Sequence, residues 1–378
     1  MKILVAIDSF KGTLSSAELG KILQDALQIN NQTVDFISVS DGGEGLLEAL
    51  TKPLQLQIIP VQATAPLGNK IDAFVGYSEI TKTLVVELAS ASGLPLVPEA
   101  KRNPLHTTSY GSGELLNYAQ KLNCQNILFG VGGSATSDGG VGALQALGLY
   151  FEGAPHLATG NDLIQISQIS HYTSHWLEKI NFQIACDVNN PFTGEKGSAK
   201  TYGPQKCAAT LNANAIVNQI EEGMIHLKEM ILKKTNIDLD LVPGAGAAGG
   251  IAGSMHALLK AKLSPGIKII FDAIQLTEKI KEADLIITGE GRLDQQTING
   301  KVVSGIIKEA QKWGKPVWAL CGQNTLSPTE IKAIGLEKVY TLIENAPLEE
   351  CLSNTQQVVK KTLQHLQLDL THSNLNKN

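Results

Sequence analysis

Short continuous apolar runs alternate with helix-period stretches near both ends of this chain. Ile3 to Ile7 is the first such run, ended by Asp8, and its length fits a parallel strand buried on both faces rather than a helix. After Ser9-Phe10-Lys11-Gly12-Thr13, Ser15 and Glu18 form a capping box, and Leu19, Ile22, Leu23, Ala26 and Leu27 follow at helical spacing. Val34 to Val39 reads as a second strand, and Asp41-Gly42-Gly43-Glu44-Gly45 leads into another short helical pattern. The pattern is a β-α-β-α unit, whose strands should run parallel through a right-handed crossover. The same grammar returns late in the chain, with strands at 284–288, 316–320 and 338–342 and helices around Val303 to Ala310 and over 328–334. A last helix carries Val359, Leu363 and Leu366, and the polar tail from Asp369 is expected to fray.

Between Leu56 and Phe271 the texture changes. Strands at 56–61, 73–77 and 84–88 are separated by turn signals, which points to antiparallel or mixed pairing. Then come an apolar strand ending at Val131, a glycine loop, a strand at 182–186, a helical stretch at 211–232 and a second glycine turn. The expected fold is α/β: a doubly wound parallel-sheet domain from residues 1–62 and 284–370, a second α/β domain of mixed sheet inserted at 63–283, and a frayed tail at 371–378.

Composition narrows the class. The chain has 378 residues, 43% hydrophobic and 18% charged, long enough for two cores and ordinary for a globular protein. A net charge of −5 leaves no basic stripe, which argues against nucleic acid as a partner. The five cysteines are scattered without a C-x-x-C pair, and no apolar run approaches the ~20 residues of a membrane span, so a cytoplasmic protein with reduced thiols is expected.

The chemistry concentrates in Gly132-Gly133-Ser134-Ala135-Thr136-Ser137-Asp138-Gly139-Gly140, between the strand at 127–131 and the helix-like 141–147. Strand, glycine loop and helix start together make an anion site, because glycine lets backbone N–H groups turn toward a ligand. Ser134, Thr136 and Ser137 add hydroxyl donors, and Asp138 is placed to hold a cation that neutralises a phosphate. The plainer alternative is a tight turn whose Ser and Asp cap the helix. Neither G-x-x-x-x-G-K-[ST] nor the dinucleotide G-x-G-x-x-G is present in the loop, so any phosphate is held in some other way.

Ligands of open α/β sheets bind at the carboxyl ends of the strands. Topology gathers Asp8, Lys11, Asp41, Glu44, Glu290, Arg292 and Asp294 at one such edge of the terminal domain, a charge density that needs a charged ligand or a metal. In the middle segment Asp187, Asn189 and Asn190 follow a strand, and Thr201 to Lys206 offers a turn with a cation. The turn at 243–250 carries no hydroxyl or charge, so close helix packing and ligand contact are both open there. Arg102 to Gly111, with an Arg, an Asn and several hydroxyls, suits a small acid.

The sequence resembles the type I glycerate kinases of bacteria. The stretches that carry the resemblance are Asp8-Ser9-Phe10-Lys11-Gly12, Asp41-Gly42-Gly43-Glu44-Gly45, Asn103 to Gly111, Gly132 to Thr136, Ala185-Cys186-Asp187, Pro243 to Gly250 and Thr288 to Arg292. Ile7, Ser137 and Cys207 depart from residues common in that family, which touches local loop geometry only. The resemblance implies a flavodoxin-like domain made from both chain ends, a family-specific inserted domain, and ATP- and Mg²⁺-dependent phosphorylation of D-glycerate in the cleft between them, with the 2-phospho product favoured. Other small hydroxy acids, or a non-catalytic sugar-acid sensor, are the competing readings. In-line phosphoryl transfer needs positioning, cations on the transferring group and a carboxylate near the acceptor hydroxyl. Gly132, Gly133, Ser134, Ala135, Thr136 and Gly139 are assigned to ATP phosphates and Asp138 to Mg²⁺. Lys11 and Arg292 are the candidates for holding the glycerate carboxylate or the transferring phosphoryl group, and Asp187 and Asp294 compete as the base. Ser9, Phe10, Asp41, Glu44, Arg102, Ser109 and Glu290 complete the expected substrate surroundings.

Overall fold

The structure, a computed structural model, describes residues 1–10, 12–28, 32–39, 45–170, 175–298 and 302–375. In chain order its strands are β1 (Lys2–Ile7), β2 (Thr33–Ser38), β3 (Gln57–Thr64), β4 (Lys70–Ser78), β5 (Thr83–Glu87), β6 (Asn126–Gly130), β7 (Phe151–Glu152), β8 (Gln168–Ile169), β9 (Asn181–Ala185), β10 (Lys262–Ser264), β11 (Leu285–Leu293), β12 (Val317–Asn324) and β13 (Lys338–Thr341). The chain divides into two compact units, one of residues 1–41 with 270–378 and the other of residues 42–269.

The terminal unit holds a sheet of order β13-β12-β11-β1-β2 in which every neighbour is parallel. Counted along the unit, that is the flavodoxin-like 2-1-3-4-5 order, whose switch point lies between β1 and β11. The apolar run of β1 is buried because helices cover both faces of such a sheet, and Ile3, Val5 and Ile7 pack with Leu19, Leu23, Leu27, Val359 and Leu363. The Ser15/Glu18 capping box forms as the sequence predicts and starts the helix Ser16–Leu27. The Ser16 hydroxyl donates to the Ile7 carbonyl at 2.5 Å, which ties that helix to the end of β1.

The middle unit holds a mixed sheet of order β10-β9-β6-β5-β4-β3, antiparallel at β3-β4 and β4-β5 and parallel from β5 to β10. Its core runs from Leu84, Val86, Ile127 and Phe129 on the strands to Leu115, Leu144, Ile220 and Leu227 on helices. The short β7-β8 ribbon and β10 carry no pattern that marks them as strands in the sequence.

Three boundaries differ from the sequence expectation. Residues 57–62 pair antiparallel with β4 from Gln57↔Tyr77 onward and so belong to the middle sheet. β11 and β12 run on past the apolar core, pairing Glu290↔Cys321 and Arg292↔Gln323, so Gly289 to Leu293 is strand rather than loop. The last helix spans Thr355–Leu375 and does not fray at Asp369, whose carboxylate accepts from the Tyr340 hydroxyl at 2.7 Å and pairs with Lys338 at 2.8 Å. No helix among the described residues is long and apolar enough to cross a membrane.

Candidate functional site

Parallel strands align their carboxyl ends, and β5, β6, β9 and β10 do so here through Glu87↔Gly130, Gly130↔Ala185 and Ser264↔Ala185. Gly132 and Asp187 are therefore each two residues past a paired position on neighbouring strands, which lie about 4.8 Å apart in any sheet. Asp187 is exposed, and its Oδ1 accepts from the Gly266 amide at 2.9 Å.

The glycine loop divides into an open front and a closed back. At the front, Gly133 is exposed with φ +69°, a left-handed backbone that suits glycine, and Gly132 and Ser134 are half-buried. A short antiparallel bridge fixes this strip, with Leu94 N donating to Gly133 O at 2.8 Å and Ala135 N to Ser92 O at 2.9 Å. No described acceptor takes the amides of Gly132, Gly133 and Ser134, so three successive N–H donors stand available for an anion. The Ser134 Oγ accepts from Thr136 N at 3.1 Å and braces the turn from within.

At the back, Ala135, Thr136 and Asp138 are buried. A Cβ on Gly139 would meet the Leu227 side chain at 2.2 Å, so Gly139 is a packing glycine. Asp138, expected to face Mg²⁺, is fully enclosed. Its Oδ2 accepts from Ser109 N at 2.8 Å, Ser109 Oγ at 2.7 Å and Gly142 N at 3.3 Å, and its Oδ1 from Gly140 N at 3.1 Å. Burial pushes its carboxyl above the usual range, opposed by those four donors. Fully enclosed, Asp138 organises the start of the helix Val141–Ala146, and it claims amides at that helix start that the sequence reading gave to phosphate. Ser109, expected at the substrate, is its partner and is buried, with Oγ also accepting from Ala143 N at 3.0 Å. Among the described residues no group of three or more His, Cys, Asp or Glu side chains is gathered as a protein-built metal cage requires.

One contributor went unassigned by sequence reasoning. Lys206, 3% exposed at the end of a short turn, donates from Nζ to the Thr136 carbonyl at 2.5 Å. Burial pushes its ammonium down to about 8, with the Asp138 carboxylate acting in the opposite sense. The next turn of chain binds the Arg102 segment, Ala208 N donating to Arg102 O at 2.7 Å, and the buried Arg102 Nε has no hydrogen-bond partner. The second glycine turn resolves to close packing, since Gly139 N donates to Gly249 O at 3.0 Å and a Cβ on Gly249 would sit 2.1 Å from Thr136 O. The signal for all this is long-range packing, absent from any local pattern.

On the terminal unit, Asp8 follows the last β1-β11 pair, Ile7↔Gly289, and donates from its amide to Gly289 O at 3.0 Å. Glu290 therefore stands beside it at the switch point. The Ser9 amide donates to Asp8 Oδ1 at 2.6 Å. Phe10, expected at the substrate, is 3% exposed and packs into the core, where its backbone pairs with Leu14 and fixes the loop. The Thr297 hydroxyl donates to Glu290 Oε1 at 2.6 Å and accepts from Asp294 N at 3.1 Å. Arg292 is exposed, with its Nε 3.5 Å from the Asp294 carboxylate. Lys11, Asp41 and Glu44 lie outside the described residues.

Comparison with known proteins adds an independent line. The model of the glycerate kinase family matches residues 3–370. A glycerate kinase of Haemophilus influenzae is 37% identical over 97% of this chain and 98% of its own length. A glycerate 2-kinase of Escherichia coli is 39% identical over 91% of each chain. A crystal structure described as that of a glycerate kinase 2 from Salmonella typhimurium LT2 superposes with a TM-score of 0.85 at 34% identity, covering 99% of both chains.

Proposed function

The chain belongs to the glycerate kinase family, and from that premise we propose that it transfers the γ-phosphoryl group of ATP to the 2-hydroxyl of D-glycerate. The observation that carries the reading is the set of unclaimed amides of Gly132, Gly133 and Ser134 beside the exposed Asp187. Amides without a protein acceptor at a strand end suit the phosphates of ATP, and a carboxylate on the adjacent strand end suits the proton of an acceptor hydroxyl.

Asp187 is favoured over Asp294 as the base. Asp294 lies just past β11, 3.5 Å from the Arg292 Nε, whereas Asp187 is exposed at the end of β9. Asp187 also belongs to the same sheet edge as the phosphate loop. Mg²⁺ bound to ATP would neutralise charge on the phosphates, and such an ion is commonly held by phosphate oxygens and water with one or two carboxylates, so it does not require a protein-built cage. Arg292, exposed on the extended part of β11, is assigned to the glycerate carboxylate, a role shared with Lys11. The 2-hydroxyl is preferred as acceptor because the relative from Escherichia coli is a glycerate 2-kinase.

Purified protein should form ADP only when ATP, Mg²⁺ and D-glycerate are all present, and phosphorus NMR should show 2-phosphoglycerate. Turnover restricted to a different acid, in a panel of small hydroxy acids, would reassign the substrate. Arg292→Lys should raise the KM for glycerate roughly tenfold at similar kcat, since loss of a bidentate contact is worth ~1.4 kcal/mol or more. Unchanged kinetics would remove Arg292 from the site.

A further inference from the structure

The Thr136 carbonyl anchors the back of the glycine loop. It points into the packed interior, since a Cβ on Gly249 would sit 2.1 Å from its oxygen, and Lys206 Nζ meets it at 2.5 Å from 70 residues further along the chain. A trans peptide is planar, with its C=O and N–H on opposite sides, so an inward Thr136 carbonyl turns the Ser137 amide the other way. On the other side of Thr136, its N–H is taken by Ser134 Oγ at 3.1 Å, and Ser134 Oγ and Thr136 Oγ1 are also 3.1 Å apart. Ser134 is the last of the three residues with unclaimed amides. The Thr136 peptide therefore sits directly behind the open front, which the bridge to residues 92–94 holds on its other side, and its carbonyl is taken by a buried cation and, at 3.3 Å, by the Ser134 hydroxyl.

A buried ammonium on a backbone carbonyl is a costly way to brace a turn, because a neutral hydroxyl or amide would satisfy the same oxygen with less desolvation. The Asp138 carboxylate offsets part of this charge through space, but its oxygens are hydrogen-bonded to Ser109, Gly140 and Gly142, so the ammonium makes its close contact with the Thr136 carbonyl. What a cation adds beneath an anion-binding loop is a positive field at the amides above it.

We propose that Lys206 is a positioning residue for ATP, which by holding the Thr136 carbonyl inward orients the Gly132 to Ser134 amides toward the nucleotide phosphates and supports their charge from beneath. The inference rests on the reading that this loop takes ATP rather than glycerate.

Steady-state kinetics of the full chain test it. Lys206→Met should raise the KM for ATP roughly tenfold, a loss of ~1.4 kcal/mol, and leave the KM for glycerate unchanged. Lys206→Arg, which keeps a cationic donor, should recover most of that loss, whereas a residue needed only to fill space would show no such rescue. If Lys206→Met does not fold, Lys206→Gln against Lys206→Arg gives the same comparison, with the raised ATP KM confined to Gln. An ATP KM equal to wild type in the uncharged variant overturns the role of Lys206 and leaves the loop's assignment standing. A raised KM for glycerate with ATP unaffected overturns the assignment of the loop itself.

Discussion

Asp187→Asn is expected to lower kcat by roughly 10²-fold or more while leaving the KM for ATP close to wild type. The amide is nearly isosteric and can still accept from the Gly266 amide, so the strand end should keep its shape, but it cannot take up the proton of the acceptor hydroxyl. Asp187 lies two residues beyond the parallel register that aligns β6 with β9, on the strand next to the one that leads into the glycine loop, and it is exposed. Rate measurement at saturating ATP and glycerate decides the matter. A near-normal kcat with only a raised KM would pass the role of base to Asp294.

Asp138→Ala should destabilise the protein by about 3–5 kcal/mol, the range found when one partner of a buried charged network is removed. Four donors lose their acceptor at once, and the buried Lys206 ammonium loses the one carboxylate that acts to stabilise it. Asp138→Asn keeps one acceptor oxygen and should lose less. Denaturant unfolding of both variants measures the effect, and the Mg²⁺ concentration that half-saturates any surviving activity should stay where it is in the wild type. Near-native stability combined with a raised Mg²⁺ requirement would return Asp138 to the metal.

Asp138 also shows where reading from sequence alone runs out. An acid in a glycine loop has the same local signature whether it faces a metal or folds under to cap a helix, and the choice is made by Ser109, 29 residues away in the chain. Lys206 is hidden in the same way, because nothing around Pro204-Gln205-Lys206 announces that its ammonium is buried against Thr136. By contrast, the parallel strands and the Ser15 cap were legible because apolar runs and capping boxes are local causes of local structure. The extension of β11 through Gly289-Glu290-Gly291-Arg292 was not, since glycine and charge weaken a strand and only pairing with β12 holds it. Phe10, expected among the substrate surroundings, is packed into the core instead, where apolar neighbours from distant segments enclose it. The sequence pattern thus marked where the glycine loop and Asp187 lie at the strand ends, while burial divides the loop into an open front and a closed back.

The most direct test is a crystal structure of the protein with D-glycerate and a non-hydrolysable ATP analogue with Mg²⁺. The expected result is a triphosphate hydrogen-bonded to the amides of Gly132, Gly133 and Ser134, with a glycerate hydroxyl within hydrogen-bond reach of the Asp187 carboxylate. A triphosphate bound elsewhere, with those amides facing only solvent, would contradict the account.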